Sequence, residues 1–220
     1  QTWGTVVEAA APTTRSKQVK AIVPLGEAVA KPITEYSGAD SGHQPTGVGE
    51  FDRVLGGGIV PGAVILLSGE PGVGKSTLLL DVASKVAARD NTVLYVSAEE
   101  SAGQVHLRAS RTGGLQDTLL LANEMDLGAV LGHIESTSPD LVIIDSVQTL
   151  SSGLIDGSAG GVAQVREVAA TLIRVAKETT IPIIMVGHVT KDGQVAGPRT
   201  LEHLVDVVCQ FEGDRQTALR

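Results

Sequence analysis

The stretch Gly69-Glu70-Pro71-Gly72-Val73-Gly74-Lys75-Ser76-Thr77 fits the pattern G-x-x-x-x-G-K-[ST] in full. Its glycines let the backbone curl so that successive N–H groups point inward, where they can cradle phosphate oxygens. A helix beginning at Lys75 would add its positive dipole end. The Lys75 ammonium is then a point charge for the β- and γ-phosphates, and the Ser76 hydroxyl is an oxygen donor of the kind Mg²⁺ prefers. Two further acidic features complete a possible hydrolytic set. Leu141-Val142-Ile143-Ile144-Asp145 is an apolar run that ends in a carboxylate, suited to reach Mg²⁺ through its water shell. Tyr95-Val96-Ser97-Ala98-Glu99-Glu100 ends in two carboxylates, either of which can orient an attacking water as a general base; Glu99 is the first choice and Glu100 the second.

Such residues work only if buried strands deliver them to one edge of a sheet, and the sequence carries that pattern. Ala63–Ser68, Thr92–Ser97, Leu119–Ala122, Leu141–Asp145, Ile181–Gly187 and Val205–Phe211 read as strands, several of them continuous apolar runs. Helical periodicity is expected over Lys75–Arg89, Ala102–Arg111, Asp126–Ser136 and Val162–Thr179. In the last of these Val165, Val168, Ala169, Leu172, Ile173 and Ala176 form one stripe. Strands alternating with helices imply right-handed βαβ units, hence an α/β fold with a mostly parallel central sheet and helices on both faces. Gly153–Gly161 and Gly193–Gly197 read as loops. Residues 1–46, rich in Thr, Pro, Ser, Ala and Lys, read as a leader or linker before a domain spanning 47–220.

Composition narrows the class. The chain has 220 residues, 42% of them hydrophobic, enough for one large core. With one Trp, two Tyr and two Phe, that core must be aliphatic. The 25 acidic and 17 basic side chains leave a net charge of −8, which argues against coating nucleic acid by bulk charge but leaves room for a local basic channel. A single cysteine, Cys209, excludes an internal disulfide framework or a four-cysteine metal site; its alternation with Val207 and Phe211 reads as core. His43, His106, His133 and His203 lack mutual ligand spacing, and Arg108 and Arg111 read as helix-surface charge rather than adenine contacts. No apolar run approaches the roughly 18 residues of a membrane span, so a cytoplasmic protein with no membrane partner is expected.

The segments FDRVLGGGIVPGAVILLSGEPGVGKST, VLYVSAEES, LVIIDSVQTL and VGHVTKDGQVAGPRTLEHLVDVVCQFEGDR together resemble the ATPase core of the bacterial RadA (Sms) family, RecA-superfamily DNA repair proteins. The resemblance covers about Gly47 to Arg220 and is specific, because the phosphate loop is generic but GHVTK…GPRTLEH…FEGDR is not. It implies a RecA-like P-loop NTPase using ATP/ADP and Mg²⁺. It further implies a DNA-stimulated hexameric ring that moves on single strands and drives branch migration of recombination intermediates with RecA. On this likeness Lys75 and Ser76 bind phosphate and metal, Asp145 is the Walker B acid, Glu99 orients water, and His188 occupies the superfamily's γ-phosphate-sensing position. The Trp3-Gly4-Thr5 start is similar to the segment after the family's zinc ribbon. Zinc is therefore expected only in a preceding ribbon, and a Lon-protease-like domain only beyond Arg220.

Two Gly-rich loops, Ser151–Ala163 and Thr190–Arg199, follow strands and are expected at the same sheet edge. Their backbone N–H groups, with Arg166, Lys191 and Arg199 as the nearest cations, are candidates for sequence-independent contact with DNA phosphates. Lys191 or Arg199 serves equally as a finger toward a neighbour's ATP. Neither loop carries an aromatic, so base stacking is not expected. Two other readings remain open at this point: a KaiC-like signalling ATPase or kinase acting on protein, and a non-catalytic nucleotide-gated binding module.

Overall fold

The structure, a computed structural model, describes residues 30–35, 42–188 and 200–213. The loop from Thr190 to Arg199, with Lys191 and Arg199, and most of the leader lie outside the described residues. The chain divides into two compact units, Gln1–Ser37 and Gly38–Arg220. In the first, Ile33–Glu35 forms one 3₁₀ turn.

The second unit contains β1 (Val64–Gly69), β2 (Val93–Ser97), β3 (Leu119–Asn123), β4 (Leu141–Asp145), β5 (Ile183–His188) and β6 (Val207–Gln210). Its helices are α1 (Gly49–Val54), α2 (Lys75–Ala87), α3 (Ala102–Arg111), α4 (Leu127–Thr137) and α5 (Val162–Thr179). The strands form one sheet in the order β3-β2-β4-β5-β1-β6, every pairing parallel. Side chains that alternate along each strand fall into two separate cores. Leu66, Val96, Ile144 and Met185 pack with α4 and α5 on one face. Ile65, Leu67, Tyr95, Ile143 and Val186 pack with α1, α2 and α3 on the other. This double burial is why β1 and β4 read as unbroken apolar runs. Each fully buried Leu, Ile or Val contributes about 1.5–3 kcal/mol relative to exposure.

The differences from expectation lie at element ends. β5 starts at Ile183 rather than Ile181, since Pro182 has no N–H for the ladder. β6 covers Val207–Gln210 rather than Val205–Phe211, because the Val205 N–H is drawn back to Leu201. The short helix α1 was not foreseen: six residues give little periodicity. It is pinned by Asp52, whose carboxylate accepts from the Thr46 N–H (2.6 Å), the Thr46 hydroxyl (2.7 Å) and the Gly47 N–H (3.1 Å).

The carboxylate of Asp206 ties three segments together: Oδ2 accepts from the Val64 N–H at the start of β1 (2.8 Å) and from Lys177 Nζ on α5 (2.6 Å). Burial opposes its ionisation, but the hydrogen bonds from Lys177 and Val64 outweigh burial and hold the carboxyl below its usual range. A depressed native pKa gives stability that is present above the unfolded value, about 3.9, and lost as pH falls through the native one. Asp206→Asn should lower the thermal midpoint at pH 7, and the gap to wild type should narrow below about pH 4. Scanning calorimetry across pH reads both.

Candidate active site

The strand order explains the site. β1 lies between β5 and β6, whereas β2 lies beyond β4, so the chain leaves β1 and crosses two strands before re-entering the sheet. The carboxyl ends of β1, β5, β4 and β2 thus line one edge, where α/β sheets bind ligands. Register aligns the ends, with Gly69 opposite His188 and Ser97 opposite Asp145.

The phosphate loop follows β1 directly. Gly69 is required by a close approach: a Cβ there would sit 2.3 Å from the Phe211 carbonyl oxygen. Gly74 precedes α2 with φ +109°, a conformation that favours glycine. No side chain caps α2 and its first turn carries no acid, so its N-terminal N–H groups are open to an anion. Lys75 is 3% exposed, and its ammonium donates to the carbonyls of Gly69 and Glu70, both at 2.8 Å. Burial lowers its pKa, while the charges of Asp145 and Glu99 pull it back up. The hydroxyls of Ser76 and Thr77 accompany it on the first turn of α2.

The carboxylates take distinct environments. Asp145 is buried, and its Oδ2 accepts from the Tyr95 hydroxyl at 2.7 Å. Glu99 Oε1 accepts from the Ser146 hydroxyl at 2.6 Å and lies 3.2 Å from His188 Nε2. That nitrogen is within ion-pair reach but not aligned for a hydrogen bond. Contact with His188 lowers the Glu99 pKa most; burial opposes it, and Ser146 and Lys75 add to the lowering. Glu100 points elsewhere, to an ion pair with Arg108 on α3. The two neighbours diverge because the turn between them is locked. The Ser97 hydroxyl donates to the Glu100 carbonyl (3.0 Å), and the Asn123 amide donates to the carbonyls of Ser97 (3.0 Å) and Glu100 (2.7 Å).

Lys75, Asp145, Glu99 and His188 thus converge, whereas Glu100 is committed to α3. The sequence reading missed Tyr95, Ser146 and Asn123, which hold the acids. A tyrosine inside an apolar strand was the available signal for the first. Gln148 was also missed; its Nε2 donates to the His188 carbonyl at 3.3 Å and its buried Oε1 has no partner among the described residues. Among these residues no cluster of His, Cys, Asp or Glu converges to cage a metal. Mg²⁺ does not require one, since it is commonly held by one or two protein oxygens, waters and substrate phosphates. The donor set here, a hydroxyl on the loop helix and a buried carboxylate on β4, fits that habit.

The loop after β4 is irregular yet fastened. Gln164 on α5, itself buried, accepts from the Ser152 N–H (2.8 Å) and donates toward the carbonyls of Ser152 (3.1 Å), Ile155 (2.8 Å) and Gly157 (3.3 Å). Arg166 is exposed two residues further along. Cys209 is buried, as expected of a core residue.

A family profile described as AAA domain matches residues 50–194, and the chain belongs to that class. Its relatives sharpen this. The DNA repair protein RadA of Mycolicibacterium smegmatis is 53% identical over 227 residues, covering 100% of this chain and 48% of that protein. RadA of Mycobacterium tuberculosis H37Rv is 53% identical over 221 residues, 99% and 46% of the respective chains. RadA of Bacillus subtilis is 43% identical over 220 residues, 99% and 48%. The chain is a member of the bacterial RadA family. It spans about half the length of the relatives it matches. No helix of the described residues is long and apolar enough to cross a membrane.

Gln164→Ala removes the loop's fastening and leaves buried backbone groups unpaired, at a cost of about 1–3 kcal/mol. Hydrogen exchange should accelerate in residues 152–157, while amides in the middle of α5 keep their protection relative to global stability.

Proposed function

We propose that this chain is the ATP-hydrolysing motor core of a DNA repair protein, coupling nucleotide turnover to movement on single-stranded DNA. The observation that carries the reading is the meeting of Lys75, Asp145, Glu99 and His188 at one sheet edge beside an uncapped helix N-terminus. The backbone of Gly69, Glu70, Pro71, Gly72, Val73 and Gly74 wraps the phosphates, with Ser76 and Thr77 on the first helical turn. Lys75 exchanges its loop carbonyls for phosphate oxygens. Ser76 and, through water, Asp145 hold Mg²⁺, whose charge offsets that of the phosphates. Glu99 stays ionised because its neighbours hold its pKa down, and it orients the attacking water. His188 touches Glu99 and leads directly into the segment carrying Lys191 and Arg199. It is suited to report the nucleotide state to that segment.

The Ser151–Ala163 loop with Arg166, and the Thr190–Arg199 segment with Lys191 and Arg199, bind the DNA backbone without reading bases, and affinity falls as salt rises. Kinship with RadA supports a hexameric ring acting in the cytoplasm on recombination intermediates, with RecA as partner in branch migration. Glu100, paired with Arg108, serves the fold rather than the chemistry.

The test is ATP turnover with and without single-stranded DNA. Lys75→Ala should lose most nucleotide affinity or turnover. Glu99→Gln should retain bound ATP while kcat drops at least about hundredfold, and Glu100→Gln should stay within a few-fold of wild type. Normal turnover in Glu99→Gln with a dead Glu100→Gln would reverse the assignment of the base. A full rate that ignores DNA would point to a signalling ATPase instead.

A further inference from the structure

A tyrosine hydroxyl in the interior of a sheet demands a partner, and so does a buried carboxylate. Tyr95 is 2% exposed and Asp145 7%. The other side chains at the centre of β2 are Val93, Leu94 and Val96, so Tyr95 brings the strand's one interior phenol. β2 and β4 pair with Tyr95 opposite Ile143 and Ser97 opposite Asp145. The phenol therefore reaches diagonally, two residues up the neighbouring strand on the same face, to Asp145 Oδ2. Its ring is held in the apolar cluster with Leu80, Val105 and Ala109, under α2 and α3. With Oδ2 taken, Oδ1 has no hydrogen-bond donor among the described residues. A carboxylate at the end of a strand otherwise turns freely about its χ angles. Here a rigid ring with two torsions, clamped by two helices, fixes its plane.

We propose that Tyr95 is the positioning residue of the metal site: it locks Asp145 so that the free oxygen faces the water shell of the nucleotide-bound Mg²⁺. This rests on the nucleotide reading above and deepens it. Tyr95 touches neither phosphate nor metal and acts only through Asp145. Burial and the Asp145 charge raise the phenol's pKa well above 10, so it remains a donor throughout the working range.

The test separates metal from nucleotide. ADP affinity is measured by calorimetry at increasing Mg²⁺ and in EDTA for wild type, Tyr95→Phe, Asp145→Asn and the double variant. Affinity in EDTA, which reports the loop and Lys75, should stay within about twofold in Tyr95→Phe. The Mg²⁺ concentration needed for tight binding should rise about 10–100-fold, as for other groups that orient a ligand from behind. The double variant should lose no more than Asp145→Asn alone, whereas a general packing role would add to it. Retained ADP binding in EDTA is itself the check that Tyr95→Phe folds, and Asp145→Asn, which leaves the phenol ring in its apolar cluster, should raise the Mg²⁺ requirement at least as far. An unchanged Mg²⁺ requirement in Tyr95→Phe overturns the proposal and leaves the nucleotide site standing. Absence of ADP binding by folded wild type, with or without Mg²⁺, overturns both.

Discussion

The structure is organised around an ammonium ion that is almost entirely removed from water. Lys75 is buried at the mouth of the phosphate loop, and two loop carbonyls together with the fields of Asp145 and Glu99 make that burial tolerable. A buried cation without such compensation would give up its proton. The compensating groups come from the ends of three strands, β1, β4 and β2, with His188 on β5 against Glu99. Any register slip would break the arrangement, because a shift by one residue turns every side chain of a strand to the opposite face. The sheet's twofold apolar burial therefore does more than stabilise the fold. It fixes the register that sets the charges against one another.

The acids illustrate how environment divides similar groups. Glu99 and Glu100 are adjacent in sequence, yet one faces Ser146 and His188 and the other an arginine on α3. What separates them is Asn123, reaching across from β3 to hold both ends of the Ser97–Glu100 turn. The β3 edge strand, which carries none of the reacting groups, thereby decides which carboxylate joins the site.

Much of this was legible in the residues. The apolar runs of β1 and β4 and the 3.6-residue stripe of α5 are strong because the elements are buried on two faces or one broad face, and the loop pattern is dictated by the backbone geometry phosphate binding demands. The supporting contacts were not legible, for a physical reason. Tyr95 with Asp145, Ser146 with Glu99 and Gln164 with the 152–157 backbone are pairings whose partners are set by strand order. Periodicity identifies strands but does not say that β2 lies beside β4. The helix α1 escaped because a short helix held by an aspartate at its start carries almost no periodic signal.

If the proposed DNA contact holds, the loop after β4 must let an acidic protein meet a polyanion. The net charge of −8 offers no overall attraction to a polyanion, and Asp156 lies within the loop itself. What the loop offers is a fixed backbone: one buried amide, Gln164, satisfies four of its polar groups from behind and leaves Leu154 at the exposed crest, 82% accessible. A backbone already ordered loses little entropy when its remaining N–H groups engage phosphates. On the proposed reading, affinity then depends on how the loops are held as well as on the few cations beside them. On that reading, an ATP-driven change at the β5 end, beside Glu99 and Gln148, would modulate binding by moving anchored backbone.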